Sequence, residues 1–388
     1  MTAKTRPFQR GDRIALHIDR LATGGRGVGR FQGMVVFVSG VAPLEDVEVE
    51  ITFIKKNFAE AKLLRILVAS EFRITPPCPV AGKCGGCSWQ HVTYAEQLRQ
   101  KKSQVIEALR KFSGYALEAI PQVAETQPSP LEFRYRNRIQ LHNQGSRMGF
   151  HQRDSHSIVD IDDCLIAEQR LTREIPELKA KFANTKASRI ELFLTQEMNV
   201  AVRTPDGDDE GAGSAFSQVN TSQNLNLVNT TVAIARTELE GLADVLIYDL
   251  YSGSGNFTLP LAKALPNAIL IGVESNPSSV ERGQQLTQSA PQISFVAQNV
   301  HDFLQSRPQA EIPTFILLDP PRTGCGTEVM NLIVERGVER ILYISCHPVT
   351  LARDLQALAA ANYKLHSVQP FDMFPQTDHV EVVAYLTK

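Results

Sequence analysis

The sequence predicts a multidomain α/β protein, with a small β-barrel first, an α+β region in the middle and a doubly wound sheet last. Three observations lead there. Short alternating apolar and polar runs fill residues 1–70, three cysteines crowd into the ten positions 78–87, and from about residue 216 apolar strands alternate with helical stretches. A chain of 388 residues is too long for one ordinary core. At 43% hydrophobic and 21% charged residues it has the composition of a soluble globular protein rather than a disordered or fibrous one. No apolar leader and no run of membrane-spanning length is visible, so a cytoplasmic location without a membrane partner is expected.

In the first region, runs at 13–21, 33–39, 46–54 and 61–67 alternate, and Thr23-Gly24-Gly25-Arg26-Gly27 supplies a glycine-rich turn. Four or five short strands in 70 residues imply a closed, OB-like barrel. The second region, 71–215, opens with the cysteines and a helix over 94–112 whose outer face is basic (Arg99, Lys101, Lys102, Arg110, Lys111). That helix can pack on the last domain. A proline-punctuated linker follows at 121–130, then strands at 134–141, 189–195 and 200–203, up to an acidic, glycine-rich loop at 205–213. The third region, 216–388, places strands at 245–250, 269–273, 293–297, 315–318, 340–344 and 380–386. Strands alternating with helices imply a mostly parallel sheet covered on both faces.

The net charge of −2 conceals local excesses. Residues 1–70 carry eleven Lys and Arg against seven Asp and Glu, and residues 131–153 carry five Arg against one Glu. Basic patches on a slightly acidic chain suit a nucleic acid bound at defined surfaces, although either patch alone could be a solvated face.

Chemistry concentrates in the third region. Asp249-Leu250-Tyr251-Ser252-Gly253-Ser254-Gly255-Asn256-Phe257 sets a Gly-x-Gly turn between strand and helix, where a ligand must come close to the backbone. Glu274 lies nineteen residues beyond Gly255, at the end of the next strand, where a carboxylate can accept both hydroxyls of a ribose. The third glycine of a dinucleotide fingerprint is missing, so an adenosyl group without pyrophosphate, such as S-adenosylmethionine, fits better. Two further groups follow strands, Asp319-Pro320-Pro321-Arg322 and Ser345-Cys346-His347-Pro348, and the last strand supplies Asp378-His379-Val380-Glu381. A lone cysteine is more often a small buried hydrophobe, and lone carboxylates are more often caps or solvated. Their joint placement on the carboxyl rim of one sheet turns them into site candidates. The set Cys78-x5-Cys84-x2-Cys87 with Cys164, 77 positions on, could hold zinc or an iron–sulfur cluster. In a reducing compartment either is favoured over disulfides.

Those motifs, with Phe216-Ser217-Gln218-Val219-Asn220, occur in an order that resembles the RNA uracil-5 methyltransferases over nearly the whole length. The branch it resembles joins an N-terminal TRAM domain and a four-cysteine cluster to a Rossmann-like catalytic domain. The resemblance implies methylation of uridine C5 in RNA through a covalent adduct, with Cys346 as nucleophile adding to C6 and Glu381 as the base that takes the C5 proton. Phe216, Gln218 and Asp319 would hold the uracil. Gln218, Asp249, Tyr251, Gly253, Gly255, Asn256, Glu274, Asn299 and Asp319 would hold S-adenosylmethionine. Cys78, Cys84, Cys87 and Cys164 would carry a [4Fe–4S] cluster, with Trp89 and His91 shielding it or stacking on a base. Ribosomal RNA is the favoured partner over transfer RNA, and a single chain is expected to suffice. Tyr251 and Ser252 depart from the family's usual Phe and Cys, and Cys325 is expected to be structural. Two readings of other classes stay beside this one: a radical S-adenosylmethionine enzyme, whose cysteine triplet would need a first gap of three rather than five, and a non-catalytic RNA-binding module, which would not need Cys346 and Glu381.

Overall fold

The first seventy residues alternate because one side of each strand packs inward and the other meets solvent. In the computed structural model, which describes residues 7–183, 185, 189–195, 197–204, 218–308 and 311–388, they form β1 (Arg13–His17), β2 (Arg20–Leu21), β3 (Gly27–Phe31), β4 (Met34–Val38), β5 (Asp46–Ile54) and β6 (Phe58–Val68). The strands pair in the order β1-β5-β6-β4-β3-β2, antiparallel except for β4 with β6. Ile14, Leu16, Ile18, Val36, Val38, Val47, Val49 and Ile51 fill the core between them.

Helix α1 spans Tyr94–Phe112, as the periodicity predicts. Its basic face does not all meet solvent. Lys101 is fully buried and ion-paired with Asp372, which is equally buried. Periodicity could not show this, because the partner lies 271 positions away. Next come β7 (Arg138–Gln144), β8 (Arg147–His151), β9 (Ile158–Asp160), α2 (Gln169–Arg173), α3 (Ile175–Phe182), β10 (Arg189–Leu194) and β11 (Val200–Arg203). These strands form an antiparallel sheet in the order β11-β10-β7-β8-β9. Ile139, Leu141, Met148, Leu171, Ile175, Ile190 and Leu192 make its core with the two helices.

The remaining elements are α4 (Thr221–Leu239), β12 (Leu246–Leu250), α5 (Thr258–Ala264), β13 (Ile269–Glu274), α6 (Pro277–Leu286), β14 (Ile293–Ala297), α7 (Val300–Ser306), β15 (Phe315–Leu318), α8 (Thr327–Glu335), β16 (Arg340–Ser345), α9 (Pro348–Ala360), β17 (Lys364–Phe371) and β18 (Glu381–Thr387). They build a seven-stranded sheet ordered β14-β13-β12-β15-β16-β18-β17. The first five strands in that order are parallel; β18 and β17 close the edge as an antiparallel hairpin, of which the sequence reading had only the second strand. Strand order reverses between β12 and β15, which is where an open α/β sheet leaves a crevice at its carboxyl ends. Val105, Ala108 and Leu109 of α1 pack into the same apolar core as the strand residues Leu250, Leu318, Tyr343 and Val382.

The chain divides into two compact units that interleave along the sequence: 1–100 with 131–208 and 374–378, and 101–130 with 209–373 and 379–388. The boundary therefore falls inside α1. Among the described residues no helix is long and apolar enough to cross a membrane.

Candidate active site

Leu250, at the end of β12, accepts a hydrogen bond on its carbonyl from the Asp319 N–H (3.3 Å), so the two strand ends on either side of the switch point meet. Beyond β12 the backbone turns through residues with left-handed φ: Tyr251 at 68°, Gly253 at 56° and Gly255 at 98°. A side chain is uncomfortable there, and the turn is strained at Tyr251, whose ring is anchored by a hydrogen bond with Cys325. A Cβ on Gly253 would meet nothing within 4 Å, so this side of the turn is open to a ligand, whereas one on Gly255 would press Phe295 at 3.0 Å. Glu274, at the end of β13, accepts hydrogen bonds from the N–H groups of Gly253 (3.2 Å) and Asn276 (2.7 Å), which fixes the carboxylate beside the turn.

Asp249 is fully buried. Its Oδ2 accepts from the Thr258 hydroxyl, while Oδ1 is buried with no partner. An orphaned carboxylate oxygen under an open glycine turn suits a ligand carrying a hydrogen-bond donor or a cation. Burial first, and then the neighbouring Glu274, push its carboxyl up to about 7. Asn256 exchanges two side-chain hydrogen bonds with Asn224 (2.8 and 3.1 Å), and Asn299 caps α7 by accepting from His301 N–H (2.9 Å).

Past β15, β16 and at the head of β18 lie Asp319, Cys346 and Glu381. The Cys346 thiol is half-buried and is pushed up to about 11 by burial, then by the charges of Glu381 and Asp319; Arg322 acts in the opposite direction. Glu381 is 2% exposed, and burial plus Asp319 hold its carboxyl well above the usual range. Asp319 is raised by burial and by Asp249. A line of interacting groups thus runs from Glu274 through Asp249 and Asp319 to Glu381 and Cys346. Gln218 is described, partly buried, just before α4; Phe216 falls outside the described residues. Asn220 pins that segment, since its Nδ2 donates to Ser129 Oγ (3.0 Å) and to the Met373 carbonyl (3.1 Å).

In the other unit, Cys78, Cys84, Cys87 and Cys164 line one cavity of about 90 Å³, with Ile139, Phe150, Ile161 and Ile166 among its apolar walls. All four are free thiols. The Cys84 loop is stitched to the end of β8: Gly85 N–H donates to the His151 carbonyl (2.9 Å), and Arg153 donates to the Cys87 carbonyl (3.0 Å). Cys87 is pushed up to about 12, first by burial, with Cys164, Cys84 and Cys78 adding to it.

The chain's similarity to known proteins bears on its family and its fold. A family model described as tRNA (uracil-5-)-methyltransferase matches residues 309–388, and a TRAM domain model matches residues 7–64. The 23S rRNA (uracil(1939)-C(5))-methyltransferase RlmD of Pectobacterium atrosepticum is 33% identical, over 93% of this chain and 90% of its own. The chain belongs to the RNA uracil-5 methyltransferase family. An RNA methyltransferase of Bdellovibrio bacteriovorus, itself uncharacterized, is 43% identical over 97% of this chain and 95% of its own. In fold, this methyltransferase is similar to the tRNA (uracil-54, C5)-methyltransferase of Pyrococcus abyssi, solved with S-adenosyl-L-homocysteine, at a TM-score of 0.70 and 24% identity, covering 96% of this chain and 100% of that one.

Some residues of the methyltransferase carry more, or something else, than their motifs suggested. Trp89 is fully buried and donates its indole N–H to the Gly25 carbonyl (3.2 Å), and His91 is bonded to the Val41 carbonyl (2.9 Å). Trp89 is therefore core and is not offered to a base. Arg322 was quoted within a motif without a role, yet it is the cation beside Cys346. Cys325 sits in a network in which Asp354 accepts from its N–H (2.7 Å) and from the Tyr343 hydroxyl (2.5 Å).

The raised carboxyls have a measurable consequence. Between about pH 4 and about pH 7 the folded chain holds the Asp249 proton more tightly than the unfolded chain does, so stability falls as pH rises through that window. The ligand-free protein is expected to melt at a higher temperature near pH 5.5 than near pH 7.5, and Asp249→Asn is expected to flatten the slope. A melting temperature independent of pH across that range would contradict the assignment of a buried, proton-holding Asp249.

Proposed function

We propose that this chain methylates carbon 5 of a uridine in RNA, with 23S ribosomal RNA as the substrate class. The observation that carries the reading is the grouping of Cys346, Asp319 and Arg322, past the carboxyl ends of β16 and β15, with Glu381 at the amino end of the antiparallel β18, next to the crevice marked by Asp249 and Glu274. Uracil C5 is too weak a nucleophile to accept a methyl group unaided. Addition of the Cys346 thiolate to C6 makes C5 enolate-like. S-adenosylmethionine, when bound, supplies an electrophilic methyl group on a positively charged sulfur. Glu381 then removes the C5 proton, and the Cys346–C6 bond breaks to release the product. A buried carboxylate with a raised pKa is the stronger base for that step. Burial and two neighbouring carboxyls hold Cys346 as a thiol in the free protein, so attack waits on cationic charge near it, of which Arg322 is the resident part. Asp319 and Gln218 hydrogen-bond the uracil edge, Phe216 packs on the ring, and the base leaves its stack to enter. For the cofactor, Gly253 and Gly255 admit the chain close to the backbone, Asp249 Oδ1 takes a donor, and Glu274 accepts the ribose, with Tyr251, Asn256 and Asn299 around it.

The four cysteines fit a [4Fe–4S] cluster. They line one cavity, and packed thiols that raise one another's pKa are relieved by binding cationic iron. Among the described residues no three His, Cys, Asp or Glu side chains are gathered as ligands of a metal ion, so this reading rests on the shared cavity. The cluster would supply structure there, because methyl transfer needs no electrons.

Ribosomal RNA is supported over transfer RNA by the higher identity to the rRNA enzyme, 33% against 24% for the tRNA enzyme. Mapping 5-methyluridine in cells lacking this gene tests both points: loss of one 23S site supports the reading, loss confined to transfer RNA moves the substrate, and no loss ends it. The barrel supplies affinity. Phe53 is exposed, and Lys55 lies over its ring at 5.8 Å and over that of Phe58 at 5.6 Å. Phe53→Ala is expected to weaken RNA binding by about 1–3 kcal/mol, as loss of a stacked base does. Lys55→Ala is expected to lower the salt slope by about 1. Titrations that show neither change would remove this face from the interface.

A further inference from the structure

We propose that Ser88, Gln97 and Asp378 are positioning residues for Glu381: they hold the segment before β18 as a fixed strap, so that the carboxyl stays where the C5 proton is removed. The proposal rests on the reading of Glu381 as the base.

Glu381 is the first residue of β18 and pairs in register with Phe371, the last of β17. Residues 372–380 join the two strands, and such a hairpin tip ordinarily moves freely. This one is tied down residue by residue. Gln376 has φ 69°, a left-handed conformation that a glutamine keeps only when its surroundings enforce it. Its N–H donates to Gln97 Oε1 (3.0 Å), its side-chain Oε1 accepts from Gln97 Nε2 (3.0 Å), and its carbonyl accepts from the N–H groups of Ser88 (3.1 Å) and Trp89 (3.0 Å). The Pro375 carbonyl accepts from the Tyr135 hydroxyl (3.0 Å). Asp378 receives the Gly24 N–H on Oδ2 (2.7 Å) and the Ser88 hydroxyl on Oδ1 (3.0 Å), and its own N–H donates back to Ser88 Oγ (3.0 Å). At the other end, Asp372 is held by Lys101, one helical turn beyond Gln97 on α1.

Eight hydrogen bonds on three consecutive-but-one residues are more than a surface turn needs. Asp378 is three positions before Glu381, so freedom gained there reaches the base along a short stretch of chain. A general base must lie within about 3 Å of the proton it takes, and a displacement of about 1 Å can cost on the order of 10²-fold. Elimination should suffer most, because Cys346 and the cofactor crevice hang on other strands.

The test uses full-length protein, labelled RNA and S-adenosylmethionine, with first-turnover methylation and the protein–RNA band on a denaturing gel read side by side. Asp378→Ala and Ser88→Ala are expected to methylate the RNA in the first turnover as the wild type does. Steady turnover is expected to fall about tenfold or more, with methylated RNA accumulating on Cys346. Amide hydrogen exchange at residues 379–382 is expected to quicken, and Ser88→Thr, which keeps the hydroxyl, to restore turnover. If Asp378→Ala does not fold, the Ser88 pair decides alone. Turnover at the wild-type rate, or first-turnover methylation and adduct falling together, overturns the proposal. Glu381→Gln separates the two levels: no adduct with that variant means the base itself is misassigned, whereas adduct with Glu381→Gln and none with the strap variants refutes only the positioning role.

Discussion

Cys346→Ala is expected to abolish methyl transfer outright, whereas Glu381→Gln is expected to stop the reaction two bonds later. Without the thiol no adduct forms and C5 stays a poor nucleophile: Asp319 and Glu381 are carboxyls, Arg322 is a cation, and the Cys325 thiol, which also interacts with Asp319, is pushed up by burial and hydrogen-bonded with Tyr343 and Tyr251. With Glu381→Gln the thiol still adds and the methyl group still transfers, but the C5 proton has no acceptor. Removing a general base costs about 10²–10⁴-fold, enough for the covalent species to build up. On a denaturing gel with labelled RNA, a slow band is expected with Glu381→Gln and is expected to vanish when Cys346 is also replaced. Asp319→Asn is expected to weaken productive uracil binding without a trapped band. His347 is a poor substitute base, because its Nδ1 already faces the Thr350 N–H (3.3 Å) as the cap of α9. Rapid multiple turnover by Glu381→Gln would nonetheless assign the base elsewhere, and turnover by Cys346→Ala would overturn the covalent mechanism.

Protein purified without oxygen is expected to be brown and to carry about four irons per chain, as a [4Fe–4S] cluster requires. Replacing Cys164 is expected to release that iron and to destabilise the unit around β7–β11, because Cys164 also packs against its apolar core. One zinc and no iron in an anaerobic preparation would sink the cluster. Chelation under air is expected to expose residues 78–87 to protease before the catalytic sheet, since the Cys84 loop is tied to the end of β8 through Gly85–His151 and to Arg153 through the Lys83 and Cys87 carbonyls.

What the sequence made legible is what is local or strongly ordered along the chain. Helix α1 and strands β5, β11, β14 and β15 have the bounds that periodicity placed on them. Asp319 and Cys346 could be placed on one edge because the carboxyl ends of parallel strands share it, whereas Glu381 opens its strand and is brought there because β18 runs antiparallel to β16. Pairings across the chain were beyond reach. Lys101 reads as a surface cation until Asp372 is beside it, and Trp89 reads as a shield for the cluster or a stacking partner for a base until Gly25 accepts its indole proton. Strand β17 was missed because His366, Ser367 and Gln369 break its apolar run; it forms by pairing with β18. The reciprocal Asn224–Asn256 pair joins a helix to the glycine turn, and no spacing rule anticipates it.

The pairing of Gln97 with Gln376 and of Lys101 with Asp372 spans 279 and 271 positions. A ribosome delivers α1 well before the hairpin that carries Glu381. Until then Lys101 lacks the Asp372 carboxylate and Gln97 has no strap to hold, and an ammonium left without its carboxylate resists burial. Chain emerging from the tunnel therefore waits, with its first unit lacking residues 374–378, for that segment to be made and to pair with Gln97 and its neighbours. Closing so long a loop is slow, although the extra entropy grows only with the logarithm of its length. The active site is completed well after the barrel, so a nascent or prematurely terminated chain can present a barrel to RNA long before it can modify it.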